Sequence, residues 1–206
     1  MNLRSVRRCA LRSFALALTA ASLSVAAPFA AADTLQFSAP DDVPMISLTR
    51  EHGMVRGVVD TPLVQVFGDG RVRVARPAYM IAAGVHEFAL SADELERLVA
   101  QLSDLVDLNT DVIALRREVM QRSTGERFAT LDETTTRIEL KFDALGRNGE
   151  AARSVDQTVS LSNVQIDAER FAQIEELATL ARAERALLEL AQQPMNAKRA
   201  EGQGND

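Results

Sequence analysis

Apolar and polar residues alternate along several short stretches of the chain. Residues 71–76 (RVRVAR) place Val72 and Val74 on one side and arginines on the other. A period of two is the pattern of a strand with one buried face. It predicts strands over residues 45–50, 63–67, 71–76, 85–90, 134–142 and 152–161.

Other segments repeat their apolar residues at spacings of three and four, which is typical of helices. Ser91 and Glu94 form a capping box, in which each side chain binds the backbone N–H of the other, and they open a helix. Its apolar stripe consists of Leu95, Leu98, Val99, Leu102 and Val106. A second helix is predicted over 110–122. Asp167 is predicted to cap a long third helix that ends near Leu190.

The strands and helices come in groups, and hairpin-length links join the strands. This order favours an α+β fold. The prediction is an antiparallel sheet covered on one face by two or three helices, with a long C-terminal helix. We expect one domain over residues 45–191, after a flexible lead-in at 33–44 and before a disordered tail at 192–206.

The first 32 residues have the pattern of a cleavable signal peptide. Four arginines and no acid accompany an apolar run at 13–27, and Ala30-Ala31-Ala32 follows that run. We expect cleavage after Ala32, a periplasmic or secreted protein, and no transmembrane segment after cleavage. The pair Arg7-Arg8 also resembles a twin-arginine signal, but its flanking residues favour the Sec route. The continuous apolar run argues against a mitochondrial presequence.

Removal of the signal makes the chain more acidic. The sequence holds 23 basic and 29 acidic residues, and the signal takes away four arginines, which leaves 19 against 29 and a net charge of −10. This charge gives no general attraction to nucleic acid. The single cysteine, Cys9, leaves with the signal, so the exported chain has no disulfide and depends on core packing.

The stretch Gly68-Asp69-Gly70-Arg71 has the glycines of a ligand-binding loop. A P-loop ends in Gly-Lys-Ser/Thr before a helix, and an EF-hand needs several oxygen ligands at alternate positions. Here a strand follows, and Asp69 has neither a lysine nor a second acid beside it. The stretch therefore predicts a hairpin turn. Arg71 and Arg73 share a face, where they either pair with nearby acids or bind a carboxylate of a partner.

No motif in the sequence indicates catalysis, a metal site or a cofactor. His52 and His86 lack the close spacing of zinc ligands, and there is no Gly-x-Ser-x-Gly. Asp132-Glu133 precedes three threonines, and we interpret it as a loop end before a strand, with acid–base chemistry as the alternative.

One set of residues resembles a group of bacterial exported proteins of unknown function, in which a strand–GDGR–strand hairpin precedes a helix and an Asp-x-Thr-Thr motif begins a later strand. The matching residues lie within 62–142 and are Gly68, Asp69, Gly70, Arg71, Asp132, Thr134 and Thr135. A more distant similarity, to emfourin-type protease inhibitors, rests on residues 46–50 and on the order of hairpin and helix. Neither resemblance implies a catalytic or binding residue.

We therefore expect an exported, non-enzymatic protein that acts by binding a protein in the cell envelope. Its candidate surface patch consists of Asp69, Arg71, Arg73, Asp132, Thr134 and Thr135. The alternatives are a protease inhibitor-like binder and a hydrolase or metal-dependent enzyme with a non-obvious site. Self-association through the last helix is a further possibility.

Overall fold

The computed structural model describes residues 35–52, 61–78, 82–108, 114, 133–147 and 149–203, with the backbone alone over 194–203. All these residues belong to one compact unit, Asp33–Asp206. The predicted helix at 110–122 lies outside the described residues, apart from Ala114, which is helical.

Seven strands form one antiparallel sheet. They are β1 (Leu35–Ser38), β2 (Ile46–His52), β3 (Val64–Val66), β4 (Arg71–Arg76), β5 (Gly84–Ala89), β6 (Thr134–Arg147) and β7 (Arg153–Ser162). Side by side they run β7-β6-β2-β3-β4-β5. Leu145 of β6 pairs with Phe37 of β1 on one edge and with Arg153 of β7 on the other. Strand β1 therefore lies in line with β2, along the far half of β6.

The helices are α1 (Ala92–Ser103), α2 (Val164–Arg170) and α3 (Glu175–Gln203). Helix α1 begins with the predicted capping box at Ser91 and Glu94. The helices pack on the sheet face that carries the alternate apolar residues of the strands, such as Ile46, Leu48 and Ile138, all fully buried. The predicted α+β architecture, with an antiparallel sheet and a long C-terminal helix, is confirmed.

The prediction that Asp167 caps the long helix is wrong. Asp167 is buried inside the short helix α2, whose N-cap residue is Asn163 in a left-handed conformation. The chain then turns at Phe171, outside helical geometry, and α3 starts at Glu175. Phe171 and Ile174 are both buried. The turn preserves the apolar spacing of a helix, so the sequence pattern contains no sign of the break.

Two further boundaries differ from those expected. Strand β1 lies within the predicted lead-in at 33–44, because residues 35–38 pair with the end of β6. Its pattern of four residues is too short to indicate a strand locally, and the pairing depends on residues more than a hundred positions away. The α3 backbone continues to Gln203, past the predicted end near Leu190, and is about 43 Å long.

Candidate functional site

The Gly68–Arg71 stretch forms the hairpin turn between β3 and β4, as predicted. Phe67 N–H donates to Arg71 O at 2.9 Å, and Gly70 N–H donates to Phe67 O at 3.0 Å. Gly70 has a φ of 86°, which favours glycine. Asp69 Oδ1 accepts from the N–H of Arg71 at 2.9 Å, so the acid stabilises the turn itself.

The other glycine of the turn allows a close backbone contact. A Cβ on Gly68 would lie 2.6 Å from the carbonyl oxygen of Ala39. The connection from β1 to β2 therefore rests directly on the turn, and Arg71 Nη2 donates to Asp41 O of this connection at 3.0 Å. The backbone geometry of the turn explains both glycines, and neither forms part of a phosphate-binding loop.

The two arginines of the predicted patch already have partners within the chain. The Arg71 guanidinium lies 4.3 Å from the ring centre of Phe67, and the ring of Phe67 is buried. Arg73 Nε lies 2.7 Å from Glu87 Oε1 across the β4–β5 pair. Arg71 Nε also lies 3.7 Å from Asp69 Oδ2, so each of the two arginines has an acid of the same chain beside it.

The threonines of the predicted patch lie at the opposite end of the sheet. Thr134 pairs with His52 at the end of β2, whereas the Gly68–Arg71 turn lies beside the start of β2 at Ile46. That separation is about 20 Å at ~3.3 Å per residue. The Thr134 hydroxyl contacts His52 Nδ1 at 3.0 Å, and Thr135 contacts Ser162 at 2.9 Å. The described members of the patch therefore form two separate places, and Asp132 lies outside the described residues.

The histidines serve local hydrogen bonds. His86 Nε2 lies 2.8 Å from the carbonyl oxygen of Ala82, a residue with a φ of 57°. Among the described residues, no group of three His, Cys, Asp or Glu side chains is placed to hold a metal ion. Glu87, next to His86 along β5, pairs with Arg73.

The sheet face opposite the helices is polar, and no helix among the described residues packs on it; we call it the open face. Its short polar residues include Ser47 and Thr49 of β2, which are buried, and Thr158 and Ser160 of the edge strand β7, which are exposed. Around them stand exposed charged residues in pairs: Arg137 with Glu51 at 3.3 Å, Lys141 with Glu139 at 3.8 Å, and Arg73 with Glu87. Surface pairs of this kind contribute little to stability. They leave a polar surface of low net charge that combines hydrogen-bonding groups of both kinds.

A cleft of about 230 Å³ lies at the margin of the open face. Pro40, Val43 and Pro44 of the β1–β2 connection line one side, and residues of β6 and β7, including Lys141 and Asp156, line the other. This volume is below the ~300–1,000 Å³ that is usual for small-molecule sites.

A buried carboxylate on α3 was not predicted from the sequence. Glu184 is 1% exposed and accepts hydrogen bonds from Thr136 Oγ1 of β6 at 2.5 Å and from Gln165 Nε2 of α2 at 2.8 Å. Arg50 Nε of β2 lies 3.4 Å from it. A signal existed, because Glu184 falls in the apolar stripe formed by Leu177, Leu180 and Leu187. With a 1% exposure, the carboxylate has no access to a substrate, and it joins α3 to α2 and the sheet.

Within the described residues, these features define an antiparallel α+β protein whose sheet has one face covered by helices and one polar face without a helix on it. No family model, no curated protein and no solved structure matches the chain. Across the described residues, no helix combines the length and the apolar character needed to cross a membrane.

Proposed function

We propose that this protein is exported and acts, without enzymatic activity, by binding another protein in the cell envelope. Export rests on the signal-peptide pattern of residues 1–32. Binding rests on one observation, the open face. Six strands side by side at ~4.8 Å, with about six residues of ~3.3 Å each, give a surface of about 600 Å².

This size and shape suit a protein partner. A standard interface buries about 800 Å² on each side, whereas small-molecule sites are concave, so an extended sheet face suits a protein better than a small molecule. The hydroxyls of Thr158 and Ser160 and the paired charges offer donors and acceptors without a large unpaired charge to desolvate.

A capture experiment from envelope extract tests the proposal. The purified protein is compared with Thr158→Arg, which places a bulky cation on the open face, and with Gln192→Arg, which makes the same change at an exposed position of α3. We expect a partner, identified by mass spectrometry, that is retained by the wild type and by Gln192→Arg and is lost with Thr158→Arg. Recovery of a secreted protease would favour the alternative in which this protein is a protease inhibitor-like binder. Equal capture by all three proteins, or no capture, contradicts the proposal.

A further inference from the structure

Strand β5 forms one edge of the sheet, and its backbone groups divide into two sets. Leu90 N–H donates to Gly70 O at 2.9 Å, which fixes which residues of β5 bond to β4. Since hydrogen bonding alternates along an antiparallel pair, Phe88 and His86 direct their N–H and C=O groups to β4. Val85, Glu87 and Ala89 therefore direct theirs away from the sheet.

The pairing of β4 with β3 supports the same assignment. Ala75 N–H donates to Leu63 O at 3.0 Å, and Arg71 O accepts from Phe67 N–H at 2.9 Å. The odd-numbered residues of β4 thus bond to β3, which leaves its even-numbered residues for β5. Among the described residues, no strand pairs with the outer edge of β5. The Val85 side chain on this edge is 64% exposed.

Natural edge strands usually carry protection against pairing with another chain, such as proline, lysine or a bulge. Strand β5 has no proline, lysine or bulge, its one charged residue is Glu87, and its six residues pair with β4 without a register shift. Strand β7, at the other end of the strand order, has a register shift where it pairs with Phe142–Leu145 of β6. Of these two end strands, β5 is therefore the less protected.

We propose that the outer edge of β5 binds an extended segment of a partner protein, which adds a strand to the sheet and places a lysine or arginine opposite Glu87. This inference rests on the proposed function, because it names the partner's chemistry. The unpaired backbone groups of Val85, Glu87 and Ala89 specify an extended strand. Glu87 Oε1 binds Arg73, and among the described residues no ion pair involves its second oxygen, which a cation of the partner can bind. Half-buried His86 and Phe88 would be covered by apolar side chains of the incoming strand.

Charge favours a partner over a second copy of this chain. Two β5 strands in full antiparallel overlap would pair Val85 with Ala89 and would place Glu87 opposite Glu87. Like charges directly opposite one another on adjacent strands are destabilising. A basic strand gains attraction at the same position, and the whole chain, with a net charge of −6, adds to it.

Amide hydrogen exchange by NMR, with two peptides as probes, tests the inference. One peptide alternates valine with lysine, and its control alternates valine with glutamate. We expect the lysine peptide to slow exchange at Val85, Glu87 and Ala89 by roughly tenfold or more at saturation, while the glutamate peptide does not. Ala89→Pro, which removes an outward N–H and no β4–β5 bond, should abolish this effect and leave the amides of His86 and Phe88 protected.

A charge reversal provides a second variant should Ala89→Pro prove unstable. Glu87→Lys should exchange the preference, so that the glutamate peptide protects the edge and the lysine peptide does not. Three results overturn the inference. In the first, neither peptide slows amide exchange at the β5 edge. In the second, exchange there is already slow without peptide and slows further as the protein concentration rises, and in the third it is slow without peptide at every protein concentration. The second indicates a second copy of the chain and the third a segment of the same chain. If the inference fails while Thr158→Arg still prevents envelope capture, the proposed function stands.

Discussion

Replacement of the buried carboxylate on α3 should destabilise the protein strongly. Glu184→Gln keeps the shape of the side chain and removes its charge. The carboxylate now accepts from Thr136 through Oε1 and from Gln165 through Oε2. An amide can accept at only one of these atoms. Its NH₂ group then faces either Gln165 Nε2 or, at the Oε1 position, Thr136 and Arg50. The Thr136 hydroxyl can accept from it, but Gln165 Nε2 and Arg50 Nε are donors.

The size of the effect follows from these contacts. One donor facing another in a buried site costs about 1–3 kcal/mol, and the loss of a charged acceptor weakens the remaining bond. The attraction to Arg50 adds less than about 1 kcal/mol, because the Arg50 side chain is 31% exposed and the pair is partly screened. The expected loss in free energy of unfolding is about 3 kcal/mol, a large share of the 5–15 kcal/mol that is typical of a domain.

Urea unfolding followed by far-UV circular dichroism measures this loss, since the chain has no tryptophan and one tyrosine. With a slope of about 2 kcal/mol per molar urea, the midpoint should fall by about 1.5 M. Glu189→Gln, the same change at an exposed position of the same helix, should move the midpoint by less than about 0.3 M. Equal shifts for both variants would refute the assignment of Glu184 as the residue that joins α3 to α2 and the sheet.

Two other substitutions have effects whose signs are set by local geometry. Ala82→Gly should stabilise the protein by about 0.5–1 kcal/mol, because Ala82 has a φ of 57°, a left-handed conformation that favours glycine. The control Ala83→Gly should destabilise the protein. Urea midpoints that move in the same direction for both variants would contradict this. Ser91→Ala should raise the pKa of Glu94. Two hydrogen bonds hold this pKa below its ordinary value, first the one from the Ser91 side chain and then the one from the Ser91 backbone. Because the folded-state pKa is lowered, the capping box contributes above the unfolded pKa, and its contribution disappears as pH falls through the folded pKa. An NMR titration in which the variant keeps the lowered pKa would disprove this cause.

Local patterns were sufficient to predict the elements with strong signals. The RVRVAR alternation of β4 and the capping box of α1 both appear as the sequence indicates. Each signal lies within about a dozen consecutive residues, so no distant contact is needed to read it. The α2–α3 break shows the converse, since a turn that buries Phe171 and Ile174 at helical spacing leaves no mark in the pattern.

The arrangement of the candidate site depended on contacts between distant residues. The Gly68 turn and Thr134 belong to one predicted patch, but the register of β2 against β3 and β6 places them at opposite ends of the sheet. Sequence periodicity assigns a residue to a face of a strand and excludes register slips of one residue, but it leaves shifts of two residues undetermined. The open face, for the same reason, emerged only when the strand order was known.

Site-specific photo-crosslinking in intact cells tests the central claim most directly. A benzophenone side chain is introduced at Thr158 on the open face and, as a control, at Gln192 on α3. If the protein binds an envelope partner through the open face, the Thr158 position should give a defined heterologous adduct in the envelope fraction that the Gln192 position does not give. Identical adducts from both positions, or an adduct found only in the cytoplasm, would contradict the account.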